Sequence, residues 1–193
     1  MPDPLPPGGV IVRTDAEARE LVTVARLAGD RPPVLGLLGG DLCRTLGGVG
    51  DKARLRSAEA MTFTCDVGVA VLDGHSHWFV AHLAAHRGWW RGRALVVMNA
   101  AWLGTWNLGP RSHPGDGLLD VTVADVAPGQ RLAMRARLPL GSHLPHPGLQ
   151  AQRVPAGEWT LDRSTPVRLD GVLVGEARRV AVHVEPDALT VVV

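Results

Sequence analysis

The spacing of apolar positions divides the chain into two unlike parts. Near the start, Thr14-Asp15-Ala16-Glu17 has the form of a capping box, and Ala18, Leu21, Val22 and Ala25 follow at helical spacing before Gly29. Side chains three and four apart share one face of a helix, and a glycine suits the left-handed residue that ends one. The pattern predicts a helix over 15–28. Short apolar runs flank it, at Val10–Val12 and Val34–Leu38, and read as short strands. Arg31-Pro32-Pro33 is a stiff spacer, because each proline fixes its own φ and removes a donor. Gly39-Gly40 turns the chain, and Asp41 is placed to cap a short helix over Leu42–Leu46, closed by Gly47-Gly48. Residues 10–48 therefore read as a βαβα piece. Residues 1–9 hold four prolines and read as a loose arm.

From residue 49 onward the period changes. Thr62–Leu72 is rich in β-branched residues and ends at Asp73-Gly74, a hairpin signal, with 77–83 as the expected partner. Further strands are expected at 94–102, 118–124, 131–138, 158–161, 166–169, 171–174, 179–184 and 188–193, punctuated by Pro and Gly. No helical period stands out in 110–193. Many short strands with frequent turns indicate a sandwich or barrel. The expected fold class is α+β, mainly β: a two-sheet sandwich over 49–193 carrying the βαβα piece of 10–48.

Charge and cysteine usage narrow the function classes. The chain has 193 residues, with 20 basic against 19 acidic side chains, so no global field favours nucleic acid. The two cysteines, Cys43 and Cys65, form no CxxC, which makes a reducing, cytoplasmic setting the default. The start of the chain has neither the basic region nor the apolar region of a signal peptide, and no apolar run is long enough to span a bilayer. High Ala, Gly, Pro, Arg and Val content goes with a GC-rich coding genome.

Local chemistry gathers in one segment, His86-Arg87-Gly88-Trp89-Trp90-Arg91-Gly92-Arg93. Arginines grip phosphate through forked hydrogen bonds, and tryptophans favour interfaces with one wet side. Arg87, Trp89, Trp90, Arg91 and Arg93 are thus candidate lipid- or phosphate-binding residues, with Arg111 extending the patch. Tryptophans packed at a sheet edge beneath stacked arginines would look the same in sequence. The eight histidines include His82-x-x-x-His86, but on a strand residues four apart lie too far apart to share a zinc ion. No Gly-x-Ser-x-Gly elbow occurs. An Asp at position 41, with no following Lys, suits a phosphate cradle poorly.

Three stretches carry a family resemblance. Leu38-Gly39-Gly40-Asp41-Leu42-Cys43-Arg44-Thr45-Leu46-Gly47 resembles the GTGNDFARTLG segment of bacterial diacylglycerol kinases and related lipid kinases, matching at Asp41, Arg44, Thr45, Leu46 and Gly47. Pro114-Gly115-Asp116-Gly117-Leu118-Leu119-Asp120-Val121 is similar to that family's PxDGxLDV loop. Leu169-Asp170-Gly171 is similar to its DGE. The three occur in family order over roughly 35–193. The family's nucleotide loop, GGDGT, does not occur, and Val172 stands where the family has the Glu of DGE.

The resemblance implies the C-terminal sandwich domain of a bacterial, YegS-like lipid kinase with its ATP-binding half truncated. It implies Asp170 as the base that would accept the lipid hydroxyl proton, although Asp170-Gly171 reads more readily as a plain hairpin turn, since Val172 removes the companion carboxylate. It also implies a structural Mg²⁺ held by the Asp116 side chain with the carbonyls of His113 and Leu118; a self-capped Asx turn is the competing reading. ATP binding by this chain alone is not expected, since a full mononucleotide fold needs more βα units. Three functions stay open. The first is a catalytically impaired lipid- or phosphate-binding homologue at an anionic membrane surface, peripheral to the inner face. The second is an active lipid kinase whose nucleotide site comes from a partner chain or a homo-oligomer. The third is an interaction sandwich without a ligand.

Overall fold

The computed structural model describes residues 4–88, 92–142, 144 and 146–193. The first helix, α1 (Asp15–Ala28), forms where the capping box places it. Thr14 accepts from the Glu17 N–H at 3.2 Å, the Glu17 carboxylate accepts from the Arg13 N–H, and Gly29 ends the helix at φ 76°. Strands β1 (Val10–Val12) and β2 (Leu35–Leu37) flank it and pair in parallel. A short helix, α2 (Gly40–Thr45), follows.

The cap of α2 differs from expectation. Gly39 holds the cap position, and Asp41 lies inside the first turn. The carboxylate that receives the helix N–H groups is Asp15, accepting from Asp41 at 2.5 Å and Leu42 at 3.1 Å. A residue 26 positions upstream thus does what the local sequence assigned to Asp41. The expected arm is also pinned at one point: Leu5 is buried with Leu55, Ala60 and Val192, and its N–H donates to the Leu55 carbonyl.

The β-rich part is built on β3 (Thr62–Leu72), β4 (His75–Phe79), β5 (His82–Ala85), β6 (Ala94–Met98), β7 (Trp102–Leu103), β8 (Trp106–Asn107), β9 (Leu119–Ala124), β10 (Leu149–Val154), β11 (Ala156–Leu169) and β12 (Val172–Val192). The Asp73-Gly74 turn joins β3 to β4, as its sequence predicts. Beyond it, the expected partner segment divides: β5 leaves β3 and pairs with β6 and β11. The C-terminal strands expected as separate short pieces merge into two long ones. These bend at irregularities between Thr160 and Thr165 and between Glu185 and Leu189. Bulges let one strand serve both layers, so the sheet folds over itself as a sandwich.

Alternation fills the space between the layers. Leu95 and Val97 of β6, Leu119 and Val121 of β9, and Val180 and Val182 of β12 meet in one buried cluster. A second cluster joins the βαβα piece to the sandwich, packing Val12, Val22 and Leu35 against Val67, Val80 and Val191. The end of β12 also pairs in parallel with β2. The N-terminal piece is therefore continuous with the main sheet and shares its core.

One expected strand is a helix. Residues 131–138 contain most of α3 (Pro128–Arg135), followed by a single 3₁₀ turn at Leu138–Leu140. Pro128 suits the first turn, where its missing N–H costs nothing. Strand β10 was not anticipated at all; it pairs with β9 from Leu149–Ala124 to Val154–Leu119.

Candidate functional site

The motif resembling GTGNDFARTLG acts as a clamp. Asp41 accepts the Gly104 N–H through both carboxylate oxygens, at 2.9 and 3.0 Å. Arg44 donates to the Gly104 carbonyl and lies 3.4 Å from the Trp102 ring centroid. Thr45 accepts from the Ala101 N–H. Three motif side chains thus hold the β7–β8 hairpin against α2.

Behind the clamp lies a cluster of ionisable groups from four distant parts of the chain. His82 sits between Asp41 and Asp170, at 3.6 Å from each carboxylate, and is almost wholly buried. Asp15 caps α2 alongside. Burial pushes the Asp15 carboxyl up to about 7, and the negative charge of Asp170 adds to the effect. Burial works against the charged form of His82, but the nearby carboxylate of Asp170, and then that of Asp41, outweigh it and raise the imidazole pKa. Sequence reasoning found Asp170 and missed its neighbours, because Asp15, Asp41 and His82 meet it only through the tertiary fold.

Asp170 occupies the β11–β12 turn at φ 50°. Its carboxylate accepts three backbone N–H groups, from Val80 at 3.0 Å, Ala81 at 2.8 Å and His82 at 3.1 Å. Both oxygens are committed to the chain that joins β4 to β5.

The loop expected to hold Mg²⁺ is closed by protein groups. Asp116 Oδ1 accepts from the Leu118 N–H at 3.0 Å, and its Oδ2 pairs with Arg153. The His113 carbonyl accepts from the Gly115 and Asp116 N–H groups. Arg153 also reaches Asp120 at 3.3 Å. A divalent cation needs several oxygens with lone pairs to spare. The Asp116 carboxylate and the His113 carbonyl do not fit one, since a guanidinium and backbone donors occupy them. Asp66, buried beneath, accepts from Gly117 at 2.7 Å and Asp187 at 3.0 Å and ties the loop to β12.

Of the arginine-tryptophan segment, Trp89, Trp90 and Arg91 lie outside the described residues. Arg87 donates to the Ser164 carbonyl at 2.7 Å, and Arg93 is 3.8 Å from Asp162. Both line a surface cavity of about 450 Å³ with Arg163 and Thr165. Arg111 falls elsewhere. It lines a polar cavity of about 240 Å³ with Gln152, Arg153 and Asp120.

That polar cavity adjoins an apolar one of about 90 Å³, and the two share Leu108 and Thr122 in their walls. The apolar end is floored by the outward residues of the sheet, Ala94 and Val96 of β6 and Thr122 and Ala124 of β9. These small side chains leave a depression. Met134 of α3 and Leu138 roof it, and Arg131 and Arg135 stand at the same wall. Arg131 anchors the roof by donating to the carbonyls of Val126 and Gly92. The roof explains why β6 is buried on both faces. The outer side of the roof exposes Leu132 and Leu140.

The long bent strands thus form a sandwich, and the βαβα piece shares its sheet and core. Residues 53–193 match the YegS C-terminal NAD kinase beta sandwich-like domain, and the chain belongs to that family. Solved structures agree in fold. A diacylglycerol kinase from Bacillus anthracis str. Sterne superposes with a TM-score of 0.65 at 16% identity, over 95% of this chain and 75% of that one. A candidate diacylglycerol kinase from the same organism gives 0.71 at 14% identity, over 95% and 77%. No curated protein matches the chain by sequence.

Proposed function

We propose that this chain is a diacylglycerol-kinase-like binding module that holds an anionic amphiphile and does not itself transfer phosphate. The observation that carries the reading is the groove on the outer face of β6, β9 and β10. Its apolar end suits part of an alkyl chain, and its polar end presents Arg111 to a phosphate or carboxylate. Arg87, Arg93 and Arg163 add positive charge at a second cavity on the surface, and exposed Leu132 and Leu140 on the roof suit contact with a lipid interface. Catalytic silence is supported by the state of Asp170, whose oxygens are bonded to three backbone N–H groups.

The test uses a single-chain alkyl phosphate, dodecyl phosphate, against dodecanol and against inorganic phosphate. Trp106 lines the apolar end and reports occupancy through its fluorescence, with Trp106→Phe as the blank. Saturable binding of dodecyl phosphate is expected. Arg111→Ala weakens it about tenfold, as loss of one charge-assisted contact should. Ala124→Trp fills the groove and abolishes it. Binding indifferent to both changes would sink this reading.

A second reading has one observation in its favour. The junction between the βαβα piece and the sandwich gathers Asp15, Asp41, His82 and Asp170. Acidic groups beside a histidine are material for proton transfer. If a partner chain or a second copy supplied a nucleotide there, lipid phosphorylation would appear on mixing and vanish in Asp15→Ala.

A further inference from the structure

The loop over 112–120 already contains a cation, and it is a side chain. Arg153 of β10 stands directly across the sheet from Asp120 of β9. From that position its Nε reaches Asp120 Oδ1 at 3.3 Å and its Nη2 pairs with Asp116 Oδ2. The remaining oxygens have partners too: Ser112 Oγ donates to Asp120 Oδ2 at 2.7 Å, and the Leu118 N–H donates to Asp116 Oδ1 at 3.0 Å. Side-chain exposure is 31%, 29% and 16% for Arg153, Asp116 and Asp120. The Arg153–Asp116 contact lies at the surface and only Asp120 is half-buried, so water screens part of the charge; even so, two carboxylates that share one guanidinium at contact range repel each other once it is removed.

We propose that Arg153 is the resident cation of this loop: its guanidinium bridges Asp116 and Asp120 where a divalent ion would otherwise sit, so the loop is metal-independent, and removing the guanidinium uncovers a divalent-cation site. The geometry accounts for both halves. A planar fork serves two carboxylates at once, which a single ammonium does not. Once the fork is gone, two carboxylate oxygens within reach of one former partner are left facing each other. That is an oxygen-rich, net negative site suited to a hard cation. The two acidic residues cross-link the turn at Gly117 to the β9–β10 ladder, so the bridge also fixes the wall of the polar cavity that contains Arg153.

The experiment is a pair of titrations on the full chain. Mn²⁺ binding is followed by the loss of its free electron-paramagnetic signal, and melting is followed in EDTA and in Mg²⁺. For the wild type, no stoichiometric Mn²⁺ binding and the same Tm in both buffers are expected. Arg153→Met, which keeps most of the apolar stem, should melt lower in EDTA, recover in Mg²⁺ and bind about one Mn²⁺ per chain. Arg153→Lys should recover part of the stability without any metal response. Wild-type Mn²⁺ binding, or a wild-type Tm that drops in EDTA, overturns the proposal. So does an Arg153→Met protein that binds no Mn²⁺. If Arg153→Met does not fold in EDTA, refolding in Mg²⁺ decides the matter: recovery supports the proposal and failure to recover overturns it.

Discussion

Replacing Asp170 separates a structural carboxylate from a catalytic one. In Asp170→Ala, three buried N–H donors, on Val80, Ala81 and His82, lose their acceptor. Each unsatisfied buried donor costs roughly 1–3 kcal/mol, so the sum is about 3–6 kcal/mol after allowing for partial relaxation. The backbone adds to this, because position 170 has φ 50°, which Asp and Asn tolerate better than Ala. Asp170→Asn is the sharper variant. Its side-chain oxygen can still serve Ala81 and His82, but its amide would face the Val80 N–H, donor against donor. A loss of about 1–3 kcal/mol is expected. For a domain of this size 1 kcal/mol moves Tm by roughly 2–4 °C, so Asn should lower Tm by several degrees and Ala by roughly 10 °C or more. Differential scanning calorimetry with parallel urea titrations gives both numbers. Equal stability of Asp170→Asn and wild type would refute the reasoning and return Asp170 to the list of groups free to take a proton.

The remaining predictions concern the same framework. Asp66→Ala removes the acceptor for the Gly117 and Asp187 N–H groups and should cost about 2–4 kcal/mol, with hydrogen exchange accelerating at those two amides. Stability should also depend on pH through three groups with opposite signs. Asp15, raised from 3.8 to about 7, destabilises the fold as pH climbs through that window, by on the order of 4 kcal/mol in full. His86, lowered from 6.5 to about 4 by burial and then by Arg168, stabilises the fold as pH climbs from 4 to 6.5, by about 3 kcal/mol at most. The two nearly cancel below 6.5. Above it, Asp15 remains and His82 joins it, because stabilisation by a histidine of raised pKa is present below 6.5 and lost as pH passes through the raised value. Urea titrations should therefore show a plateau and then a fall. His86→Gln should uncover a decline beginning near pH 4, and a profile parallel to wild type would contradict the assignment.

Features set by neighbouring residues were legible in the sequence. Helix α1 was readable because its cap, its apolar face and its stop all lie within 16 residues, from Thr14 to Gly29. The β3–β4 hairpin was readable from Asp73-Gly74. The sandwich followed from the density of short β-rich segments, although the continuity of β11 and β12 did not, since bulges and turns share a residue vocabulary. Helix α3 was misread because eight residues show too little of a 3.6-residue period to displace an alternating pattern. A signal for it did exist. Ala94–Met98 is apolar at every position, and a strand buried on both faces requires a covering layer. The ionisable cluster had no local signature: Asp15 and Asp170 are brought together by the packing of the βαβα piece on the sheet, and only the fold reveals that Asp15, and not Asp41, caps α2. The polar contacts of Asp116 were half legible. An Asx turn was foreseen, but Arg153, on a strand the sequence did not reveal, was not.

The central claim, an amphiphile-binding module without its own nucleotide chemistry, is tested most directly by calorimetry of the full chain under one set of conditions. Phosphatidylglycerol vesicles, phosphatidylcholine vesicles and Mg²⁺-ATP would each be titrated in turn. The account predicts saturable heat with the anionic vesicles, little with the zwitterionic ones and none with Mg²⁺-ATP. Saturable Mg²⁺-ATP binding, or silence towards both kinds of vesicle, would contradict it.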